Sequence, residues 1–338
     1  MGILPSVSVI IPCFNEQATI ALVLEALFEQ TYPLDRMEVI VADGISSDHT
    51  RDKIADFCRL HPELRVSVVD NPRRIIPAAV NIAIEAAKGE IIVRLDAHSV
   101  PDVQYVEQSI HDLINGKGDN VGGIWMIQPG SETWIGRSIA AAAAHPFGVG
   151  DALYRFSNEP AVVDTVPFGA FYRSTIDRVG KFDETLLTNE DYEFNTRLRS
   201  AGGKVYLDPG IRCKYYARPS LKALSRQYWR YGYWKLRMLR RYPGTLRWRQ
   251  ALPPLFTAGL IALILAATFW HVARLILLTI LVLYTLVLTA GAFPAAFRQR
   301  DWRLFGGIPM AIATMHFSWG AGFLFSIFAS NGVKSRHP

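Results

Sequence analysis

Two long stretches in the last third of the chain carry no charged residue, and they restrict its fold more than any other feature. They cover residues 251–270 and 275–297, and four residues separate them. About 20 apolar residues are needed for a helix to cross the ~30 Å hydrocarbon core of a bilayer. We therefore expect a tight hairpin of two membrane-spanning helices and place a helical transmembrane domain over residues 251–333.

A third apolar run, residues 304–333, contains several glycines and His316. Basic residues before the first span and at 298–303 after the second place both flanks in the cytoplasm by the positive-inside rule. A third full span would leave Lys334 and Arg336 outside, whereas a re-entrant or kinked segment would not, and both alternatives stay open. For His316 we expect a hydrogen bond to a neighbouring helix.

The first two thirds of the chain alternate short apolar runs with segments of helical periodicity. This alternation predicts an α/β fold with a Rossmann-like, mostly parallel, doubly wound sheet over residues 1–217. No basic region precedes the first strand, so we expect this domain to stay in the cytoplasm. The three cysteines are far apart and read as reduced thiols. Strands are predicted at 7–11, 38–42, 66–69, 91–95, 121–126 and 162–166, and helices at 20–30, 50–60, 77–87 and 140–144.

Three of the predicted strands end in polar loops, at residues 12–16, 43–48 and 96–99. In an open α/β sheet, ligands bind beyond the carboxyl ends of the strands. The chain has neither a G-x-G-x-x-G loop after its first strand nor a P-loop, so a bound diphosphate needs another source of positive charge. Asp96 and His98 could hold a divalent cation there. The alternative is that Asp96 only caps a turn and His98 only lies on the surface.

Residues 218–250 are dense in tyrosine, tryptophan and arginine. This composition predicts amphipathic helices in a membrane interface, although single-stranded nucleic-acid sites use similar residues. The apolar spans that follow favour the bilayer, and we expect no nucleic-acid partner. The net charge of +6 fits an acidic membrane surface or a phosphorylated ligand.

Five short motifs, taken in order, resemble those of family 2 glycosyltransferases with the GT-A fold over residues 6–235. Residues 12–16 (P-C-F-N-E) resemble the opening P-x-[YF]-N-E, and residues 43–48 (D-G-I-S-S-D) resemble the nucleotide-base loop. Residues 96–98 (D-A-H) stand at the D-x-D metal site. Residues 190–191 (E-D) stand at the acidic pair that carries the catalytic base, although acidic residues at a helix start are ordinarily dipole partners. Residues 227–231 (Q-Y-W-R-Y) stand where many members have Q-x-x-R-W.

The resemblance implies roles for individual residues. Asp191, with Glu190, would be the catalytic base, and Asp96 and His98 would hold Mn²⁺ or Mg²⁺. The acceptor or diphosphate would be contacted by Gln227 and Arg230. The UDP-sugar would be bound by Pro12, Phe14, Glu16, Asp43, Ser46, Asp48 and Asp96. Apart from the resemblance, Gly169 could let the backbone approach a ligand closely, and Arg73 or Arg74 could add positive charge for the diphosphate.

Two residues depart from the family pattern. His98 replaces the usual second aspartate, which predicts weaker metal binding or a softer ion. Tyr231 replaces tryptophan, which disfavours a processive polymer synthase. The combination of R-L-D-A-H, N-E-D-Y-E and Q-Y-W-R-Y-G with a short membrane domain resembles the ExoA-like branch of succinoglycan glucosyltransferases.

By this resemblance we expect an inverting, metal-dependent hexosyltransferase of the cytoplasmic (inner) membrane, with its catalytic domain in the cytoplasm. It would move a sugar, with glucose expected, from a UDP-sugar to a polyprenyl-diphosphate-linked saccharide and form a β-glycosidic bond. The setting would be exopolysaccharide or cell-surface glycan assembly, with polysaccharide-assembly proteins as further partners.

Two other functions stay open. A polyprenyl-phosphate monosaccharide synthase would share the fold, but the loop at 140–173 is apolar rather than basic. A non-catalytic membrane scaffold with a degenerate fold would not need Asp43, Asp96 and Asp191, which are all present.

Overall fold

A computed structural model describes residues 4–329. The chain divides into two compact units. Among the described residues, the first contains 4–126 together with 156–215, and the second contains 127–155 together with 216–329. The segment 127–155 lies within the predicted catalytic domain 1–217, but it groups with the apolar helices of the second unit.

The first unit is built on one mixed sheet, which confirms the predicted α/β class. Within residues 4–329 the sheet has nine strands, in the order β3-β2-β1-β4-β8-β6-β9-β5, with β7 beside β9. The strands are β1 (Val7–Cys13), β2 (Met37–Asp43), β3 (Arg65–Asp70), β4 (Ile91–Arg94), β5 (Ser99–Pro101), β6 (Asn120–Gln128), β7 (Ala161–Val162), β8 (Ala170–Tyr172) and β9 (Val205–Tyr216).

Strand β4 lies where the sheet changes direction. It pairs in parallel with β1, and antiparallel with β8, where Val93 is opposite Ala170. Strands β1, β2 and β3 are parallel to one another, whereas β5, β7 and β8 each pair antiparallel with a neighbour. The predicted parallel sheet is therefore correct for β1 to β4 but wrong for the later strands.

The strands lie between helices whose apolar residues are buried against the sheet. Val9, Val39 and Val93 pack with helix residues such as Val23 on one face, and Ile10, Ile40 and Ile92 pack on the other. Burial on both faces explains the continuous apolar runs of these strands. The helices of this unit are α1 (Ile20–Phe28), α2 (Thr50–Leu60), α3 (Ile76–Ala86), α4 (Tyr105–Ile114), α7 (Ser174–Val179) and α8 (Glu190–Ser200).

The second unit is helical. Glycines allow α9 and α12 to pack closely, because a Cβ on Gly232 would lie 2.1 Å from the Trp319 carbonyl oxygen, and one on Gly322 would lie 2.1 Å from that of Trp229. The predicted amphipathic segment 218–250 thus contains a helix packed on the third apolar run. The helices are α5 (Trp134–Ala143), α6 (Pro146–Val149), α9 (Leu221–Leu239), α10 (Trp248–Ala267), α11 (His271–Gln299) and α12 (Leu304–Phe328).

Helices α10, α11 and α12 are long and apolar enough to cross a membrane. Helix α12 continues through Pro309 to Phe328 without a break, so the described residues contain no re-entrant turn. The remainder of the third run, 330–333, and Lys334 and Arg336 lie outside the described residues. The hydrogen bond expected for His316 is present, because its Nδ1 lies 2.9 Å from the Tyr284 hydroxyl on α11.

Candidate active site

The carboxylate of Asp43 is fully buried at the carboxyl end of β2. It accepts hydrogen bonds from the Ser46 hydroxyl at 2.5 Å, the Ser46 amide at 3.0 Å and Arg51 Nε at 2.6 Å. Arg51 reaches onward to Asp70 at the end of β3, at 2.5 Å. The loop predicted to bind the nucleotide base is therefore held in one conformation by a buried charge.

Loop 12–16 is attached to this base loop. Asn15 has a left-handed backbone with φ of 55°, its amide donates to Ser46 Oγ at 2.8 Å, and its side chain accepts from the Ser47 amide at 2.9 Å. The Asn15 side chain and amide therefore connect the two loops. At the start of α2, the Asp48 carboxylate accepts hydrogen bonds from the Thr50 amide at 3.0 Å and the Gln17 amide at 3.2 Å.

Phe14 leaves 43% of its surface exposed beside the base loop, and the guanidinium of Arg74 lies 5.5 Å from its ring centre. A Cβ on Gly44 would lie 2.9 Å from the Phe14 ring, so glycine lets the two loops approach. Arg73 forms an ion pair with Glu184. Pro12 is buried inside β1 opposite Ala42. Phe14, Arg73 and Arg74 are all exposed, and Phe14 and Arg74 lie together beside the base loop.

The candidate cation ligands follow β4. Asp96 is partly exposed, and His98 Nδ1 lies 3.1 Å from Glu16 Oε1. Metal-bound histidines commonly pair their second ring nitrogen with a carboxylate, so this pair suits a ligand. Residues 4–329 contain no cluster of three or more His, Cys, Asp or Glu able to hold a metal. A cation here would therefore need oxygens from the substrate, as Mg²⁺ usually does.

Arg94 connects the two acidic motifs. Its side chain is fully buried at the end of β4, where Nη2 lies 3.0 Å from Glu190 and 3.3 Å from Asp96, and Nη1 contacts Asp191. Burial raises the pKa of Asp191 well above its ordinary value, Arg94 lowers it, and the charges of Glu190 and Asp96 raise it further. The net direction of the Asp191 pKa is upward because burial, with the nearby charges of Glu190 and Asp96, outweighs the opposing effect of Arg94.

A pair of left-handed residues lies beside this cluster, at the start of β8. Phe168 has φ of 64° and Gly169 has φ of 87°. The Phe168 amide donates to Asp191, and the Gly169 carbonyl accepts from the Arg94 amide at 2.9 Å. Asn120 fills the space beside Gly169, since a Cβ there would lie 2.3 Å from Asn120 Oδ1. Packing and backbone conformation explain this glycine, and contact with a ligand stays a prediction.

Gln227 and Arg230 belong to α9 in the second unit. Gln227 Nε2 donates to the Tyr231 hydroxyl at 2.9 Å, and the Arg230 side chain is exposed. Their predicted contact with acceptor or diphosphate stays a prediction.

Sequence reasoning missed two arginines. Arg94 was visible as the one charge in the apolar run 91–95, which is the signal that could have identified it. Arg51 gave no such signal, because it resembles any polar residue on an exposed helix.

The chain is similar in sequence to known glycosyltransferases. The family described as Glycosyl transferase family 2 matches residues 8–180. A Methanococcus voltae enzyme, dolichyl N-acetyl-alpha-D-glucosaminyl phosphate 3-beta-D-2,3-diacetamido-2,3-dideoxy-beta-D-glucuronosyltransferase, is 30% identical over 72% of this chain and 76% of its own. The succinoglycan biosynthesis protein ExoA of Rhizobium meliloti is 27% identical over 93% of both chains.

A solved structure has the same fold. The mannosyltransferase PcManGT from Pyrobaculum calidifontis, in complex with GDP-Man and Mn²⁺, superposes with a TM-score of 0.65 at 21% identity. The match covers 92% of this chain and 87% of that one. The predicted GT-A fold and the resemblance to succinoglycan enzymes are confirmed, and the chain belongs to glycosyl transferase family 2.

Proposed function

We propose that this protein is a membrane-bound inverting hexosyltransferase. It transfers a sugar, with glucose as the first candidate, from a UDP-sugar to a hydroxyl of a polyprenyl-diphosphate-linked saccharide in exopolysaccharide or cell-surface glycan assembly. The observation that carries this proposal is the gathering of Asp96, Glu190 and Asp191 around buried Arg94 at the end of β4. The names of the two relatives, one acting on a dolichyl-phosphate-linked sugar and one in succinoglycan biosynthesis, support the acceptor class.

The proposed transfer is a single displacement. Asp191 accepts the proton of the acceptor hydroxyl while that oxygen forms a bond to the anomeric carbon of the donor. The bond between that carbon and the diphosphate breaks on the opposite face, and UDP leaves with the electron pair. One displacement inverts the anomeric centre, so an α-linked donor gives a β-glycoside.

The donor side is assigned to the two loops at the strand ends. Phe14 and Arg74 offer exposed surface to the base, and the Asp43 carboxylate fixes the loop beside it. Asp96 and His98 would hold Mn²⁺ or Mg²⁺, which when bound offsets the negative charge on the departing diphosphate. Arg73 is paired with Glu184, so we assign it no more than a supporting charge.

The second unit is proposed to hold the protein in the membrane that contains the lipid-linked acceptor. Helices α10, α11 and α12 would span the cytoplasmic membrane, with the first unit in the cytoplasm, where UDP-sugars are available. Basic residues near the start of α10 and the end of α11 favour this orientation. Gln227 and Arg230 on α9 are proposed to contact the diphosphate or the acceptor.

The proposal is tested by measuring UDP release from the full-length protein in detergent or nanodiscs. A panel of UDP-sugars is combined with three acceptors: a polyprenyl-diphosphate saccharide, its monophosphate counterpart and bare polyprenyl phosphate. Asp191→Asn is compared with wild type. The matched control is Asp177→Asn, which removes an exposed carboxylate from α7.

We expect release from one UDP-sugar only when a saccharide acceptor is present. Asp191→Asn should lower the rate of release about 10²–10⁴-fold, Asp177→Asn should leave it unchanged, and the product should carry a β-linkage by NMR. Release onto bare polyprenyl phosphate that survives Asp191→Asn would instead identify a lipid-phosphate monosaccharide synthase. A folded, nucleotide-binding protein that releases no UDP with any pairing would support the scaffold.

A further inference from the structure

Arg94 has more ionic partners than a structural arginine needs. Its side chain is 2% exposed, and it contacts Asp96 two residues along the chain and Glu190 and Asp191 almost a hundred residues away. One carboxylate would be enough to balance a buried guanidinium. Three carboxylates and one guanidinium leave a net charge of −2 when all are ionised, which is an arrangement that costs stability.

The planar shape of the guanidinium determines which carboxylate each nitrogen reaches. Nη1 contacts Asp191, whereas Nη2 lies between Glu190 at 3.0 Å and Asp96 at 3.3 Å. Nε is buried and makes no hydrogen bond within the described residues. Two nitrogens at a fixed separation thus set the distance between the Asp191 and Asp96 carboxylates. A lysine side chain has one nitrogen and cannot fix the distance between these two carboxylates.

The backbone around Arg94 is fixed as well. Its amide donates to the Gly169 carbonyl at 2.9 Å, and the adjacent Phe168 amide donates to Asp191. The ring of Phe182 lies 5.9 Å from the guanidinium carbon. Contacts with two strands and a helix start fix the position of Arg94. The guanidinium can therefore fix the positions of the carboxylates that it contacts.

We propose that Arg94 is a positioning residue for sugar transfer, which sets the distance between the base carboxylate on the acceptor side and the Asp96 carboxylate on the donor side. The inference rests on the proposed function, because it takes Asp191 as the base. Arg94 itself is not assigned any contact with a substrate. Its effect should therefore be seen in the rate of the chemical step and not in donor binding.

The test compares Arg94→Lys with wild type in the full-length protein. Arg178→Lys is the matched control, because it makes the same replacement of a guanidinium by an ammonium in an ion pair with Asp119 that is partly exposed. We expect Arg94→Lys to lower kcat at least tenfold while the KM for the UDP-sugar changes less than threefold. Arg178→Lys should change neither. A kcat within twofold of wild type for Arg94→Lys would overturn the proposal.

A double-mutant cycle gives an independent readout. If Arg94 acts by holding Asp191, then Arg94→Lys should reduce the residual rate of Asp191→Asn by less than twofold. If the rate losses of Arg94→Lys and Asp191→Asn multiply in the double variant, Arg94 does not act through Asp191. Should Arg94→Lys fail to fold, Arg94→Gln/Glu190→Gln conserves the cluster charge and is compared with Glu190→Gln alone. A further tenfold loss in kcat supports positioning, and equal rates overturn it.

Failure of the proposed function is recognised separately. If wild type shows no acceptor-dependent UDP release, the transferase proposal itself fails, whatever the Arg94 variants do. If wild type transfers sugar and Asp191→Asn loses most of that rate, the transferase proposal stands and only the Arg94 comparison decides this inference.

Discussion

Gly169 and Gly202 allow the cost of a steric contact beside the active site to be separated from the cost of backbone strain. Both have a left-handed backbone, with φ of 87° and 80°. A Cβ on Gly202 would meet no heavy atom of the described residues within 4 Å beyond its chain neighbours, whereas one on Gly169 would lie 2.3 Å from Asn120 Oδ1. Gly202→Ala therefore measures strain alone, and Gly169→Ala measures strain plus contact.

The expected magnitudes follow from these environments. An L-residue in the left-handed region costs about 1–2 kcal/mol. In Gly169→Ala the buried Asn120 must also move, which breaks its 2.6 Å hydrogen bond to Asn195 and adds about 1–3 kcal/mol. We expect Gly169→Ala to be about 2 kcal/mol less stable than Gly202→Ala. For a unit of this size that difference lowers Tm by about 4–8 °C.

The assay is thermal unfolding of the full-length variants followed by tryptophan fluorescence. UDP with Mn²⁺ identifies the transition of the first unit, because a ligand raises the Tm of the unit that binds it. Activity is measured in parallel. Gly169→Ala should also lower kcat about tenfold, because Phe168 and Gly169 hold Asp191 and Arg94, and each 1.4 kcal/mol lost in the transition state is about tenfold in rate.

Equal Tm values for Gly169→Ala and Gly202→Ala would refute the contact argument. A further check uses the background Asn120→Ala, which removes the obstructing side chain. There, Gly169→Ala should cost only the strain measured at Gly202. A full additional cost in that background would mean that Asn120 is not the cause.

Three further predictions follow from the site and the helices. Because the pKa of Asp191 is raised, kcat should increase with pH through an ionisation well above the ordinary carboxylate value of about 4, and a pH profile whose acid limb lies at or below that value would contradict this. Asp43→Asn should raise the KM for the UDP-sugar at least tenfold, since it releases Ser46 and Arg51, whereas exposed Asp52→Asn should leave it unchanged in the same kinetic assay. His316→Leu should lose two hydrogen bonds of about 1 kcal/mol each and so lower the Tm of the second unit. Nucleotide affinity measured by calorimetry should stay the same, and an unaltered Tm would contradict the role of His316.

Local periodicity was enough to predict much of the fold. Helix α2 begins and ends at the predicted residues 50 and 60, and strands β1 to β4 extend the predicted runs by one or two residues or end one residue early. Strands β1, β2 and β4 are buried on both faces, so their apolar runs are visible in the sequence. The charge-free stretches likewise predicted α10 and α11, because a membrane span needs length and composition rather than partners.

Of the strands that pair antiparallel, only β6 was predicted nearly in full, as residues 121–126 of Asn120–Gln128. Strand β9 alternates buried and exposed residues from Val205 to Tyr216, a period-two signal that was present but interrupted by Pro209 and Gly210. Strands β5 and β8 have three residues each, too few for any pattern. Predicted strand 162–166 is reduced to Ala161–Val162. Such short strands are defined by their partners, which sequence periodicity does not identify.

The candidate site was predicted as separate motifs, and its connections could not be. Each acidic residue stands in a recognisable pattern. The ion pairs of Arg94 with Glu190 and Asp191, however, join residues that are separated in sequence by 96 and 97 positions. No local pattern specifies a pair at that separation, because it depends on which strand lies beside β4. The charge inside the apolar run showed only that Arg94 must have a partner, not which one.

The reversal of strand direction at β4 gives a physical reason for the position of the site. Because β8 runs opposite to β4, the start of β8 lies beside the end of β4, and Ala170 is opposite Val93. The chain entering β8 must turn sharply there, and it does so through two left-handed residues, Phe168 and Gly169. That turn directs one amide to Asp191 and one carbonyl to Arg94. In a wholly parallel sheet the neighbouring strand would begin at the opposite edge, so the backbone groups that hold the proposed base exist because the sheet changes direction at this strand.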